Sequence, residues 1–173
     1  ALARIVGPDT VAASVDTSPM IEEAGAEVVY SRVGDIFVAA SGMEADADLL
    51  GEPNGHYAVP QFSWYNSGIF ASLLLASAAE QLPGILAEVD DYSTVRRTTV
   101  FDTEEERDEA LSTVKKRVAE QYDVTSRIDG VKFRGDGFTG LVRPSGTSPK
   151  LRVVVHAASE GVNPERVAER LLP

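Results

Sequence analysis

The chain has 173 residues, 43% of them hydrophobic, enough for one or two small packed domains. It has no cysteine, which excludes disulfides, thiol chemistry and thiolate metal sites. The net charge is −11, and it is unevenly placed: residues 1–90 hold 2 basic side chains, Arg4 and Arg32, against 13 acidic ones, whereas residues 91–173 hold 14 of each. So acidic a first half lacks the basic footprint of a nucleic-acid surface.

Lysine is scarce as well, 4 against 12 arginines. A surface this rich in carboxylates repels itself unless salt screens it, which fits a halophilic source. No apolar run reaches membrane-spanning length and no signal peptide opens the chain, so a cytoplasmic location is expected. The first residue is Ala1 rather than methionine, and the chain reads as a processed product or a piece of something longer.

In chain order, residues 10–15 (Thr-Val-Ala-Ala-Ser-Val) predict a strand. Ser18 and Pro19 then start a helix that runs to about Ala24, with serine as cap and proline in the first turn. Residues 27–30 predict a second strand, 34–43 a helix, and Leu49-Leu50 an extended stretch. Residues 67–81 are the clearest helix, apolar on more than one face and expected to be buried. Strands alternating with helices argue for an α/β layer. A boundary is expected at residues 90–94. The order then changes: strand 95–101, helix 103–121, three strands at about 124–134, 138–143 and 150–157, and a last helix from Asn163, with Pro164 behind its cap. Thr103 followed by three glutamates, Glu104 to Glu106, is a capping box with carboxylates matched to the helix dipole. The expected architecture is an α/β unit over residues 1–92, followed by a small α+β domain over 93–173 with an antiparallel sheet and two helices.

Three segments carry chemistry. The first is Gly-Leu-Val-Arg-Pro-Ser-Gly-Thr-Ser-Pro-Lys-Leu-Arg at 140–152. It reads as strand, turn, strand, with cations and hydroxyls at the tip. Successive N–H groups in such a turn form a nest for an anion. Ser145 and Thr147 add donors, Gly146 lets the backbone approach closely, and Arg143 can hold two phosphate oxygens at once. A plain β-turn would also suit Pro-Ser-Gly, but a cationic tip on an acidic protein favours phosphate.

The second is Leu-Gly-Glu-Pro-Asn-Gly-His-Tyr at 50–57. Pro-Asn-Gly is strong turn chemistry and would serve a tight turn between strands. Its polar groups also suit a sugar: Glu52 accepts from hydroxyls, Asn54 donates and accepts, and His56 donates or shuttles a proton. The other histidine, His156, lies in a β-branched run and reads as a strand residue with no chemical task. The third is Tyr-Ser-Arg-Val-Gly-Asp at 30–35, which puts Arg32 at a strand-to-helix turn, where α/β proteins place ligands; the plainer alternative is a surface arginine paired to Asp35. Glu44, Asp46 and Asp48 are spaced like a divalent-metal loop, but the stretch lacks the glycine of one, and a solvated acidic edge is the expectation.

Together these segments resemble the α-D-phosphohexomutase family, nearest its phosphoglucosamine mutase and phosphomannomutase branches of archaeal type. Arg-Pro-Ser-Gly-Thr-x-Pro-Lys-x-Arg resembles the family's C-terminal phosphate loop. Gly-Glu-Pro-Asn-Gly-His resembles its sugar loop, and Arg-Val-Gly-Asp the third-domain motif before it. Asn-Ser-Gly-Ile-Phe-Ala at 66–71 resembles the helix start after the sugar loop. The departures are Asn54 for serine, Ser148 for glutamate, and Asn66-Ser67 for aspartate.

The resemblance covers the third and fourth of the family's four domains. It implies an isomerase of carbohydrate metabolism that interconverts hexose 1-phosphate and 6-phosphate through a phosphoserine and a bisphosphate intermediate. The phosphoserine and a Mg²⁺ loop would lie in N-terminal domains of the parent protein, and neither motif is in this chain, which alone is expected to be inactive. Arg143, Ser145, Gly146 and Thr147 would hold the non-reacting phosphate, and Glu52 and Asn54 sugar hydroxyls. Arg32 and His56 would sit toward the reacting end as catalytic groups. No metal ligand is expected in this chain. A stand-alone, non-catalytic sugar-phosphate-binding module is the alternative.

Overall fold

Residues Thr10–Ser14 are small or β-branched and form β1, the buried middle of a four-stranded sheet in a computed structural model that describes residues 1–88, 92–158 and 161–171. The chain divides into two compact units, Ala1–Asp90 and Asp91–Pro173. Of the boundary expected at 90–94, residues 90 and 91 lie outside the described residues.

In the first unit a short helix α1 (Leu2–Val6) precedes β1, and a 3-10 helix (Pro19–Ala24) leads to β2 (Glu27–Ser31). The helix expected there is of the 3-10 kind, with the expected bounds. Ser18 caps it as expected, its Oγ accepting from the Met20 N–H at 3.4 Å. Helix α2 (Asp35–Glu44), β3 (Leu49–Gly51), β4 (Tyr57–Ala58), α3 (Gly68–Ser77) and α4 (Leu82–Ala87) follow. The sheet order is β2-β1-β3-β4, with β1 parallel to β2 and β3, and β4 antiparallel. Alternate side chains of β1 face opposite layers: Ala12 packs with Val38 of α2, while Val11 and Ala13 pack with Ala3 and Leu49. The chain leaves β1 toward β2, then crosses back to β3. The carboxyl end of β1 is therefore a switch point, the place where open α/β sheets leave a crevice.

The helix expected over 67–81 is shorter and far less buried. Ser67 caps it, but it ends at Ser77, only Ala71 of its ten residues is buried, and Ile69 and Leu73 face outward. Apolar residues on more than one face express composition here, not burial.

In the second unit β5 (Tyr92–Val100) leads to α5 (Glu104–Gln121). The strand expected over 124–134 is two strands, β6 (Asp123–Ser126) and β7 (Val131–Gly135), folded back on each other. Then come β8 (Phe138–Pro144), β9 (Lys150–Ala158) and α6 (Pro164–Leu171). The five strands are antiparallel in the order β5-β9-β8-β7-β6. Leu111, Val114 and Val118 of α5 and Val167, Ala168 and Leu171 of α6 pack on Val131, Phe133, Val142, Leu151, Val153 and Val155 of the sheet. Both helix starts follow their local signals: Glu106 N–H donates to Thr103 Oγ1 at 3.2 Å, and Glu165 N–H to Asn163 Oδ1 at 3.0 Å.

Gly130 makes the β6–β7 turn possible. Its φ is +95°, and a Cβ there would overlap the Val142 carbonyl and the Arg143 backbone. Only glycine lets this turn press flat against β8. That approach brings Asp129 to Arg143.

Candidate functional site

At the carboxyl ends of β2 and β3 two loops are tied together. Glu52, just past β3, is only 3% exposed. Its Oε1 accepts from the Gly34 N–H at 2.9 Å, and its Oε2 accepts from Asn54 Nδ2 at 3.4 Å. Gly34 caps α2, and the next residue, Asp35, accepts from His56 through Oδ1 to Nδ1 at 2.8 Å. Asn54 also accepts from the His56 backbone N–H at 3.0 Å, closing the turn between β3 and β4. The turn expected of Pro-Asn-Gly and the polar cluster expected of a ligand loop are thus one structure.

The electrostatics follow from burial and contact. Burial pushes the Glu52 carboxyl above its ordinary range, and the hydrogen bond with Asp35 pushes the same way, while the Gly34 N–H opposes both. Asp35 moves down, first through its hydrogen bond with Glu52 and next through that with His56. His56 moves up, because the Asp35 carboxylate holds its proton. The trio therefore favours a charged Asp35–His56 pair beside a carboxyl that resists ionising. Beside it lies a cavity of about 640 Å³, whose lining includes Asp35, Glu52 and His56 together with Ile36, Met43, Trp64 and Tyr65.

Arg32 does not pair with Asp35. Its guanidinium lies over the Phe37 ring, 4.7 Å from the centroid, in a cation–π contact. The aromatic face holds the cation at the start of α2 without neutralising it.

In the second unit, the β8–β9 turn carries the other candidates. Arg143 is 8% exposed and donates from Nε to Asp129 Oδ2 at 2.9 Å. An end-on Nε bond leaves the guanidinium fork of Nη1 and Nη2 as the face for an oxyanion. Ser145 is 5% exposed, and its Oγ accepts from the Thr147 N–H at 3.5 Å and the Ser148 hydroxyl at 3.3 Å. The serine thus shapes the turn from inside, and Ser148 takes part in that shaping. A Cβ built on Gly146 would meet nothing within 4 Å, so the loop is open at that point. From the first turn of α5, Arg107 reaches beneath the loop: it is 9% exposed, its Nη1 lies 3.5 Å from the Ser145 carbonyl, and its Nε donates to Asp108 at 2.9 Å.

Sequence reasoning named Arg32, Glu52, Asn54, His56, Arg143, Ser145, Gly146 and Thr147. The fold clusters Glu52, Asn54 and His56 in one unit and the last four in the other. It adds Asp35, Asp129 and Arg107. Asp129 had a legible signal, because Asp-Gly marks a tight turn; Arg107 had none. His156 is buried on β9 and bonded to Thr94 Oγ1 at 2.9 Å.

In the acidic stretch at 44–48, Glu44 and Asp46 are exposed, as expected of a solvated edge, and Asp48 is tied into the fold. Asp48 Oδ2 accepts from the backbone N–H groups of Asp9 and Thr10, and its Oδ1 from Gln61. Among the described residues, Asp35, Glu52 and His56 are the group whose donors converge enough to hold a metal. One of the three is an imidazole and the buried carboxyl of Glu52 resists ionising, whereas Mg²⁺ takes hard oxygen ligands, so the set fits a hydrogen-bonded cluster better than Mg²⁺.

Two family models match the chain almost end to end: the α/β/α domain III of phosphoglucomutase/phosphomannomutase over residues 2–92, and the C-terminal domain of the same enzymes over 95–172. The chain belongs to the phosphoglucomutase/phosphomannomutase family. As expected from the loops, it carries the third and fourth domains of that family, an α/β unit followed by an α+β unit with an antiparallel sheet.

Its relatives include a probable phosphoglucosamine mutase from Methanopyrus kandleri, 38% identical over 162 residues, which span 89% of this chain and 36% of that protein. Another, from Methanococcoides burtonii, is 37% identical over 147 residues, 83% of this chain and 34% of that protein. The chain therefore spans about a third of the length of these relatives. Among solved structures, a phosphoglucomutase/phosphomannomutase family protein from Burkholderia thailandensis superposes with a TM-score of 0.72 at 19% identity, covering 98% of this chain and 37% of that one. An N-acetylglucosamine-phosphate mutase, solved in a substrate complex, gives 0.65 at 15% identity, over 94% and 37%. These two likenesses concern the fold of the chain alone. Among its described residues, no helix is long and apolar enough to cross a membrane.

Proposed function

We propose that this chain supplies hexose-phosphate contacts to a phosphohexomutase, with Arg143 and the loop of Ser145, Gly146 and Thr147 holding the phosphate that is not being transferred. Glu52 and Asn54 hold sugar hydroxyls, and Arg32 and His56 face the phosphate that reacts. Glucosamine phosphate is the leading hexose, because the relatives named above carry that name.

The observation that carries the reading is the preparation of Glu52. A carboxyl 3% exposed, held by a backbone N–H and an amide, and open to a cavity with Asn54 and His56 beside it, is costly to build and suits a hydroxyl-bearing ligand. Phosphoryl transfer needs little covalent chemistry from the protein and much positioning and charge neutralisation. A phosphoserine outside this chain would give its phosphoryl group to one sugar oxygen, forming a bisphosphate, and recover the other phosphoryl group from the opposite end. A Mg²⁺ held outside this chain would offset charge at the phosphoserine. This chain's own residues bind and orient the sugar in either direction.

The test is binding of inorganic phosphate and of glucosamine 6-phosphate, followed by amide shifts of this chain at millimolar ligand. Arg143→Ala should weaken both ligands by about 1.5–3 kcal/mol. Glu52→Ala should weaken the sugar phosphate and leave inorganic phosphate unchanged. Equal proportional losses for both ligands in both variants would refute the division of labour.

A further inference from the structure

His56 is half exposed, with a side-chain exposure of 49%, and yet its ring is not free to turn. Nδ1 faces Asp35 Oδ1 at 2.8 Å, and the backbone N–H of the same residue is taken by Asn54 Oδ1 at 3.0 Å. Asp35 is itself fixed. It is the first residue of the ten-residue helix α2, and the preceding Gly34 is pinned to Glu52 by its N–H. Two parallel ties thus join the β2–α2 turn to the β3–β4 loop: Gly34 to Glu52, and His56 to Asp35. The second tie spans 21 residues of sequence and ends on a ring whose other nitrogen, Nε2, lies on the far side from Asp35.

We propose that Asp35 is a positioning residue for His56: by accepting the Nδ1 proton it orients the ring and favours the imidazolium, whose Nε2–H donates to an oxygen of the ligand. The inference rests on the hexose-phosphate reading for what that oxygen belongs to, a phosphoryl group or a sugar hydroxyl. It does not rest on it for the coupling between Asp35 and His56. The arrangement follows the general logic in which a carboxylate on one imidazole nitrogen sets the tautomer and the basicity of the other. The groups that act electrostatically on His56 are Asp35 from α2 and Glu52 from its own loop, both favouring the cation. Asn66, ahead of α3, approaches the Asp35 carboxylate and helps to keep it charged. Because Glu52 is buried and resists ionising, Asp35 is the carboxylate that carries the negative charge toward the ring.

The chain has only 2 histidines, so nitrogen spectra of the imidazoles resolve both, and buried His156 serves as an internal reference. Long-range ¹H–¹⁵N spectra of this chain, recorded across pH without ligand, test the coupling directly. The native chain should titrate at His56 above the ordinary histidine value, with Nδ1 protonated in the neutral form. Asp35→Asn, which keeps the size of the side chain and removes its charge, should lower the midpoint and let the neutral form shift toward the Nε2 tautomer. Asp35→Glu should restore much of the native midpoint, an outcome that general loosening of the loop would not produce. A retained cooperative melt and a native-like dispersed amide spectrum for residues 1–88 verify that the first unit of each variant is folded, and unchanged His156 signals show that the second unit is untouched. A His56 midpoint and tautomer that ignore Asp35→Asn would overturn the proposal. Adding glucosamine 6-phosphate to the native chain should then move the Nε2 signal. If the ligand-free titration depends on Asp35 but that signal stays still, the coupling stands and the hexose-phosphate reading is what fails.

Discussion

Arg143 and Asp129 meet at 2.9 Å with about 10% and 9% of their side chains exposed, across a turn that glycine alone allows. The ion pair fixes the guanidinium from its Nε side, at the end of β8 where the turn carrying Ser145 begins. An arginine on an open loop would spend rotamer entropy each time it bound an anion. Here the pair with Asp129 has already removed that freedom.

Removing the partner should therefore cost stability as well as binding. Asp129→Ala leaves Arg143 nearly buried without its counter-charge, and loss of one member of a buried pair costs about 3–5 kcal/mol. Denaturant unfolding of the second unit should show the loss. A change below ~1 kcal/mol would mean that solvent screens the pair as it does a surface one.

Gly130→Ala should be destabilising by a separate route. The φ of +95° strains any other residue, and the added Cβ would overlap the Val142 carbonyl and the Arg143 backbone. A cost of about 1–3 kcal/mol is expected, with an unchanged slope against denaturant. The same variant should also loosen the Asp129–Arg143 pair and weaken inorganic phosphate binding. Full affinity in a destabilised variant would show that the turn and the anion loop are independent.

Stability of the first unit should fall as pH rises through the His56 titration. The folded-state value for His56 lies above its ordinary 6.5, so its contribution is fully present below 6.5 and is lost above, as the ring gives up its proton. Glu52 has the same sign, since its value is raised from 4.5: its contribution is present below 4.5 and is lost as pH climbs through the raised value. Asp35 is depressed from 3.8, so its contribution is present above 3.8 and disappears as pH falls through the lowered value. Melting curves from pH 3 to 9 should show His56→Gln removing the later part of the alkaline decline and sparing the part that belongs to Glu52. A decline identical in His56→Gln would assign the whole effect to Glu52.

Salt should stabilise the two units unequally. The net charge of −11 sits in residues 1–90, while residues 91–173 are balanced. Raising KCl from low to molar concentration should lift the melting midpoint of the first unit by screening its self-repulsion and move the second much less. Equal shifts, or a flat response, would remove the halophilic reading.

The isolated chain should not turn over hexose phosphates, with or without Mg²⁺ and a bisphosphate activator. The phosphoserine and metal motifs that the family resemblance implies are not in this sequence. Metal-dependent turnover by rigorously purified chain would refute the proposed partition of roles.

Local chemistry made much of the fold legible from the residues. The Ser18, Thr103 and Asn163 caps all accept the backbone hydrogen bonds expected of helix starts, because a cap is decided within three residues. The loops at 50–57 and 140–152 stood out for a similar reason: each packs its polar groups into one short run. The family followed from the wording of those runs. The strand expected across 124–134 failed because its apolar pattern outweighed the Asp129-Gly130 turn signal within it. The helix expected to be buried over 67–81 failed because apolar content does not say which faces find a partner.

What the sequence determined by itself was the set of loops, their order and the chemistry that each could offer. Only the tertiary structure decided which groups would control the others. Asp35 lies 21 residues from His56, Asp129 lies 14 from Arg143, and Arg107 lies 38 from Ser145. Each pairing depends on strand register or on a helix start meeting a loop from elsewhere in its unit. No local pattern encodes such meetings, because they arise when a sheet buries its apolar face and brings distant loop ends to the same edge.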